Sequence, residues 1–341
     1  MDRITGCKLA KNLSDSGYLD DNPRISCVAA VPQWLLHRLG LNESIFVIAN
    51  PAAGRGRALQ LVAELRACFA DRQVGGIYET QKRGDEARLS HRALENGATT
   101  LVVVGGDGTC TRVATAILTA AGHRCRLAVL PAGTGNDIAK TLGVDEYTPE
   151  QIAELVSSSK SSRIDVGFAD GHYFLNSCGF GFDASVLAAT KKVRFLKGDA
   201  VYIYAALAQL FTYRGISVSV DRTPDSARRN MLMVTVSNGQ SLGGAFRIAP
   251  HASVVDGELD VGFFSDSNIF ERVRIFAGAF RGTHLGLASV RAGKVRTIAL
   301  TFSEPPAMEI DGELRHATNS TVKIECIPRA LSVFAAPDAL V

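Results

Sequence analysis

The chain has 341 residues, a formal net charge of +3, 46% hydrophobic and 21% charged residues. At about 100–200 residues per domain, this length predicts two domains with cores of their own, and the ordinary composition excludes a mainly disordered chain. So small a net charge gives no ground for a nucleic-acid partner, which a concentrated basic face would announce.

Residues 1–43 read as an N-terminal extension. Its Val28–Leu41 stretch spaces Val31, Trp34, Leu35, Leu36 and Leu39 as one short amphipathic helix. That helix either packs on the main body or touches a membrane surface. From residue 45 an α/β rhythm begins. Ile45–Ala49 is a continuous apolar run, as a strand buried on both faces requires, and it ends in Asn50-Pro51-Ala52-Ala53-Gly54-Arg55-Gly56. A helical period follows through Leu59, Val62, Leu65 and Phe69. Val74–Thr80 reads as a second strand and Asp85–Asn96 as a second helix, with Gly97 as its stop. Leu101–Val104 is a third strand that runs into Gly105-Gly106-Asp107-Gly108-Thr109, with a helix after it. Leu127–Leu130 is a fourth, ending in Pro131-Ala132-Gly133-Thr134-Gly135-Asn136-Asp137. Strands alternating with helices predict a parallel sheet covered on its faces, over 44–162.

Beyond the serine run at 157–162 the pattern changes. Ile216–Val220, Thr297–Phe302 and Val322–Ile327 alternate with period two, the mark of half-buried antiparallel strands. Two helices interrupt, near 199–213 and 268–280. Residues 163–328 are therefore read as a β-rich, sandwich-like second domain with little helix. Seven cysteines, an odd number without a C-x-x-C pair, argue against a disulfide framework or a thiolate zinc site. No apolar run reaches the roughly 18 residues of a membrane span, and the first residues lack a signal peptide's apolar core. The expected compartment is the cytoplasm.

Three successive strand ends carry Gly-rich turns: Asn50–Gly56, Gly105–Thr109 and Pro131–Asp137. Ligands of open parallel sheets bind beyond the carboxyl ends of the strands, where helix N-termini offer free backbone amides. Three such turns point to a phosphate ligand. The string G-x-x-x-x-G-K-[ST] is absent, and the G-x-G-x-x-G fingerprint fails because Leu59 and Ile138 stand where its third glycine belongs. Gly105–Thr109 is a different phosphate loop, with Asp107 available to bind a cation or to fix the loop.

These turns, with Ile164-Asp165-Val166-Gly167, Phe174-Leu175-Asn176, Gly179–Asp183, Asn238, Gly243-Gly244, Pro250, Val255–Asp260 and Ile310–Glu313 in the same order, resemble the diacylglycerol kinase catalytic family. Sphingosine and ceramide kinases are relatives of that family. The resemblance runs from about residue 45 to the C-terminus. It implies a nucleotide-binding α/β domain, a β-sandwich-like lipid domain, ATP between them, and a C-terminal segment, 329–341, that returns to the first domain. It also implies that the nucleotide meets Asn50, Pro51, Ala52, Ala53, Gly54, Thr80, Gly105, Gly106, Asp107, Gly108, Thr109, Cys110, Thr111 and Thr134. A structural Mg²⁺ would be held by Asp256 with backbone oxygens of Ser253 and Glu258. Asp107, Asp137 and Asp165 would form the acidic network around the phosphates. Glu313 would accept the hydroxyl proton, with Asp311 beside it.

On spacing alone, Asp311-Gly312-Glu313 and Asp256-Gly257 also read as ordinary turn tips. Arg112 departs from the family, which has an acidic residue there. The expected activity is ATP-dependent phosphorylation of a lipid hydroxyl, diacylglycerol to phosphatidate. A sphingoid-base or ceramide kinase, an NAD kinase, and a regulator without catalysis are the alternatives. The expected partners are the lipid itself, a transient membrane-surface contact through Val31–Leu41 or the basic run Lys191–Lys197, and a second copy of the chain in a homodimer.

Overall fold

The computed structural model describes residues 44–69, 74–120, 124–157, 160–191, 199–220 and 228–340. The helix expected at Val28–Leu41, the basic run beyond Lys191, and Ser158 and Ser159 of the serine run lie outside the described residues.

The apolar runs of the first half become strands with both faces covered. β1 (Ile45–Ala49) is buried throughout, as is β3 (Thr100–Gly105). With β2 (Val74–Glu79) and β4 (Arg126–Pro131) they form a parallel sheet in the order β2-β1-β3-β4. The connecting helices are α1 (Arg57–Cys68), α2 (Asp85–Glu95) and α3 (Asp107–Thr119). Two more follow β4: α4 (Asp137–Thr141) and α5 (Pro149–Ser157). α1 packs with α5 and α2 with α3.

In the second lobe the pairing turns antiparallel. β5 (Ser162–Ala169), β6 (His172–Phe174) and β7 (Ser177–Gly181) lead into α6 (Phe182–Thr190) and α7 (Asp199–Thr212). β8 (Ile216–Val220), β9 (Arg229–Ser237) and β10 (Leu259–Ser265) precede α8 (Ile269–Ala279). β11 (Val290–Val295), β12 (Thr297–Phe302), β13 (Ala307–Ile310), β14 (Glu313–His316) and β15 (Thr321–Val333) complete the chain order. One core lies among the strands, around Phe174, Phe180, Val234, Phe302 and Met308. Another lies under the helices, around Phe182, Leu210, Phe246, Phe264 and Ile275. The second half holds more helix than the sequence reading allowed, because α6 begins directly at the end of β7 with no polar stop between them.

β15 joins the lobes. Its first half pairs with β12 and β5, then the register slips between Ile327 and Leu331, and Ser332 and Val333 pair in parallel with Arg126 and Leu127 of β4. Arg329 sits at the slip with φ 50. The strand read at Val322–Ile327 continues without a break into the C-terminal segment, bent by a bulge.

Candidate active site

The Gly-rich turns meet at the carboxyl ends of β1, β3 and β4. Gly54 has φ 58, and a Cβ on it would fall 2.4 Å from the carbonyl oxygen of Ala132. A Cβ on Gly133 would fall 2.5 Å from the Cα of Gly106. The turns are thus in backbone contact, which only glycine permits at these two points. Asn50 fastens the first turn: its Oδ1 accepts from the amide of Ala52 at 3.1 Å, and its Nδ2 donates to Thr109 Oγ1 at 3.4 Å. Asn136, at φ 51, fastens the third by bonding both the amide and the carbonyl of Gly133. The first turn of α3, from Asp107, opens onto this junction with the amides that a helix start leaves unpaired.

A cleft of about 280 Å³ lies beside it. It is lined by Asp107, Thr134, Gly135 and Asp137 of the second and third turns, by Glu309, Asp311 and Gly312, and by the apolar Leu187, Val201 and Leu242. Asp107 Oδ1 accepts from the amide of Ile138 at 2.9 Å. Burial, and then the charge of Asp137, push the Asp107 carboxyl up to about 7. Asp137 accepts from the amide of Gly244 at 3.0 Å, and Lys140 Nζ bridges Asp137 and the Gly244 carbonyl, so this corner clasps the lobes together. Glu309 is buried, hydrogen-bonded to Asp183, and pushed well above the usual carboxylate range by burial and by that neighbour's charge. Sequence reasoning gave Glu309 no role. Its signal was its position two residues before Asp311, which puts both acids on one side of the chain.

A smaller cleft of about 130 Å³ lies across Asp311, lined by Gly108, Thr111, Arg112, His172, Glu313 and Arg315. Asp311 and Gly312 form the tip of the β13–β14 hairpin, both at positive φ, as the turn reading expected. The Asp311 acid is not solvated, however. It accepts from the amides of Leu175, Asn176 and Ser177 and from Thr111 Oγ1 at 2.7–2.9 Å. These four bonds stitch the hairpin to α3 and to the Leu175–Ser177 turn. Glu313 lies over Gly108, where a Cβ would be 3.4 Å from its Oε1. Its carboxylate is held by Arg83 at 2.8 Å, by Arg315 at 2.9 Å and by Arg112, which also bonds the buried Glu86 at 2.9 Å.

Other expected residues fall elsewhere. Cys110 is turned into the core and its amide is bonded to the Gly106 carbonyl, so it has nothing to offer a nucleotide. Thr111 spends its hydroxyl on Asp311. Pro51, Ala53 and Thr80 sit at neighbouring strand ends and line neither cleft. Asp165 is not among the phosphate-loop acids: it accepts from the amides of Gly257 and Arg329 and pins the β15 bulge.

The donor sets decide what a metal could use. Asp256 has one oxygen on the ammonium of Lys294 and the other on the amide of Glu258 at 3.0 Å, so with Ser253 and Glu258 it does not present a carboxylate free for a divalent ion. Among the described residues no three His, Cys, Asp or Glu side chains converge as a metal cage. A Cβ on Gly135 would lie 3.3 Å from Asp107 Oδ2 and 3.7 Å from Asp137 Oδ2, so both carboxylates face the third turn, and a cation there would take the place of Lys140 on Asp137. Two hard oxygen donors beside a phosphate loop suit Mg²⁺, which takes one or two carboxylates and completes its shell with substrate phosphates and water.

Residues 44–169 match the diacylglycerol kinase catalytic domain, and residues 176–335 the YegS C-terminal NAD kinase beta sandwich-like domain. The diacylglycerol kinase of Bacillus subtilis is 27% identical over 273 residues, 78% of this chain and 88% of the relative. That of Mycobacterium tuberculosis is 27% identical over 305 residues, 87% and 96%. A Pseudomonas putida protein named "Probable lipid kinase YegS-like" is 30% identical over 273 residues, 79% and 89%. The crystal structure of a diacylglycerol kinase from Bacillus anthracis superposes with a TM-score of 0.65 at 24% identity, covering 88% of this chain and 98% of that one, and so shares its fold. Matched over both lobes, the chain belongs to the family of diacylglycerol kinases and YegS-like lipid kinases and is a lipid kinase.

Proposed function

We propose that the protein transfers the γ-phosphate of ATP to the primary hydroxyl of diacylglycerol, giving phosphatidate. One observation carries this reading: a single cleft is lined both by the phosphate-loop residues Asp107, Thr134 and Gly135 and by the apolar side chains of Leu187, Val201 and Leu242. A phosphate donor and an apolar acceptor are served together. Phosphoryl transfer asks for positioning and charge neutralisation more than for covalent chemistry. The loop amides and Lys140 supply positive charge. When bound with the nucleotide, Mg²⁺ held by Asp107 and Asp137 would neutralise developing charge on the phosphates.

Glu313 is the proton acceptor in this reading. With three guanidinium groups on it, the carboxylate is occupied. Phosphate oxygens beside Gly108 compete for Arg83 and Arg315, because guanidinium binds phosphate as well as carboxylate. Moving those cations onto the nucleotide frees Glu313 for the hydroxyl proton. The test is a panel of diacylglycerol, sphingosine, ceramide and NAD with labelled ATP. Diacylglycerol is expected to have the highest kcat/KM. Preference for a sphingoid base, ceramide or NAD would overturn the assignment.

A further inference from the structure

Two helices of the second lobe turn apolar stripes outward. On α7, Tyr204, Leu207 and Phe211 stand at i, i+3 and i+7 and are 44, 43 and 71% exposed. On α8, Phe270 and Val273 stand at i and i+3 and are 80 and 44% exposed, and Phe280, which caps the helix, is 37% exposed. Isolated exposed apolar residues are ordinary, whereas aligned stripes mark an interaction surface. The opposite faces, with Ala206 and Leu210 of α7 and Ile275 and Ala279 of α8, are already buried in the core beneath. Both helices are therefore apolar on both sides, which a water-facing helix avoids.

Arg272 sets the helices against each other. Its guanidinium donates to the carbonyls of Leu210 at 2.9 Å and Tyr213 at 2.8 Å, so the last turn of α7 meets the first turn of α8. Phe211 and Phe270 thus stand at adjoining ends. From the start of α7 to Arg214 and from Ile269 to Arg281, the charged residues are four arginines against Asp199 and Glu271, the latter paired with Arg274 at 3.1 Å. Arg214, Arg274 and Arg281 are exposed around the apolar stripes. Apolar side chains rimmed by cations complement an acidic lipid surface.

The patch is also continuous with the candidate active site. Val201 near the start of α7 lines the larger cleft, and Leu242 is shared between that cleft and an apolar cavity of about 50 Å³ under α7 and α8. Among the described residues no helix is long and apolar enough to cross a membrane. α7 spans roughly 21 Å at 1.5 Å per residue, against about 30 Å of hydrocarbon. It can lie in a bilayer interface but not pass through it.

We propose that the outer face of α7 and α8 is the membrane-docking surface, seated by Phe211 and Phe270 in the headgroup boundary of an anionic bilayer. The proposal rests on the lipid-kinase reading, since only a membrane-borne acceptor requires such a face beside the cleft. The test is sedimentation with vesicles of phosphatidylcholine, alone or mixed with phosphatidylglycerol, and with no substrate lipid. The wild type is expected to bind the mixed vesicles more tightly. Phe211→Ser with Phe270→Ser is expected to weaken that binding by about tenfold or more, with an unchanged melting temperature and unchanged turnover of a short-chain diacylglycerol dissolved in water. Equal vesicle binding by the two proteins overturns the proposal. So does a double variant that turns a dimer into a monomer while still binding vesicles, which would give the face to a second copy of the chain. Vesicle binding is read without turnover, so a wrong choice of lipid substrate would leave this result standing.

Discussion

Asp107 and Glu313 show how neighbours set what one carboxyl can do. The Asp107 carboxyl is pushed from 3.8 up to about 7 by burial and by Asp137. The folded protein then holds this proton more tightly than the unfolded chain. The resulting destabilisation is absent below about pH 4, grows as pH rises, and is complete above about pH 7. Asp107→Asn keeps the acceptor for the Ile138 amide and removes the charge. It is expected to raise stability by on the order of 2 kcal/mol at pH 8, with the gain fading toward pH 4. Melting curves across that range check it; a gain that does not vary with pH would mean that charge is not the cause. Glu313→Gln keeps shape and loses the base. Turnover is expected to fall roughly 10²–10⁴-fold without a rise in the KM for ATP. Near-normal turnover would pass the role to another acid, Asp107 first.

Among the elements, the loop before β10 makes the clearest statement. Lys294 of β11 stands on Asp256 and lies 3.7 Å from Asp260, so the ammonium supplies the positive charge there. The melting temperature of the ligand-free protein is expected to be the same in Mg²⁺ and in EDTA. Lys294→Ala is expected to cost about 1 kcal/mol in EDTA, because it leaves two half-exposed acids facing each other, and to gain a Mg²⁺-dependent stabilisation. A wild type that Mg²⁺ stabilises would show that the ion displaces the lysine. The sequence could not reveal this pair, since Asp256 and Lys294 are brought together only by the pairing of β10 with β11.

The parallel strands were legible because burial on both faces writes continuous apolar runs. The helices at α7 and α8 were legible from their period. α6 was hidden by its apolar start, and the single β15 by Pro328 and Arg329 at its bulge. The phosphate turns could be read as glycine strings, whereas the sealed Asp311, the pinning Asp165 and the buried Glu309–Asp183 pair depend on contacts distant in sequence. Cys110 was carried into the nucleotide contacts with its neighbours by the family resemblance, whereas its place on α3 turns it into the core.

Among the described residues, one sheet serves two lobes. β15 spans both, Asp137 clasps Gly244, and Thr111 reaches Asp311 across 200 positions of sequence. These ties hold the phosphate turns of the first lobe against the acids and apolar wall of the second. The most direct measurement is the fate of label from γ-labelled ATP incubated with Mg²⁺ and diacylglycerol-bearing vesicles. The account predicts label in phosphatidate, strongly reduced in Glu313→Gln. Label recovered as free phosphate or on NAD, with none in lipid, would contradict it.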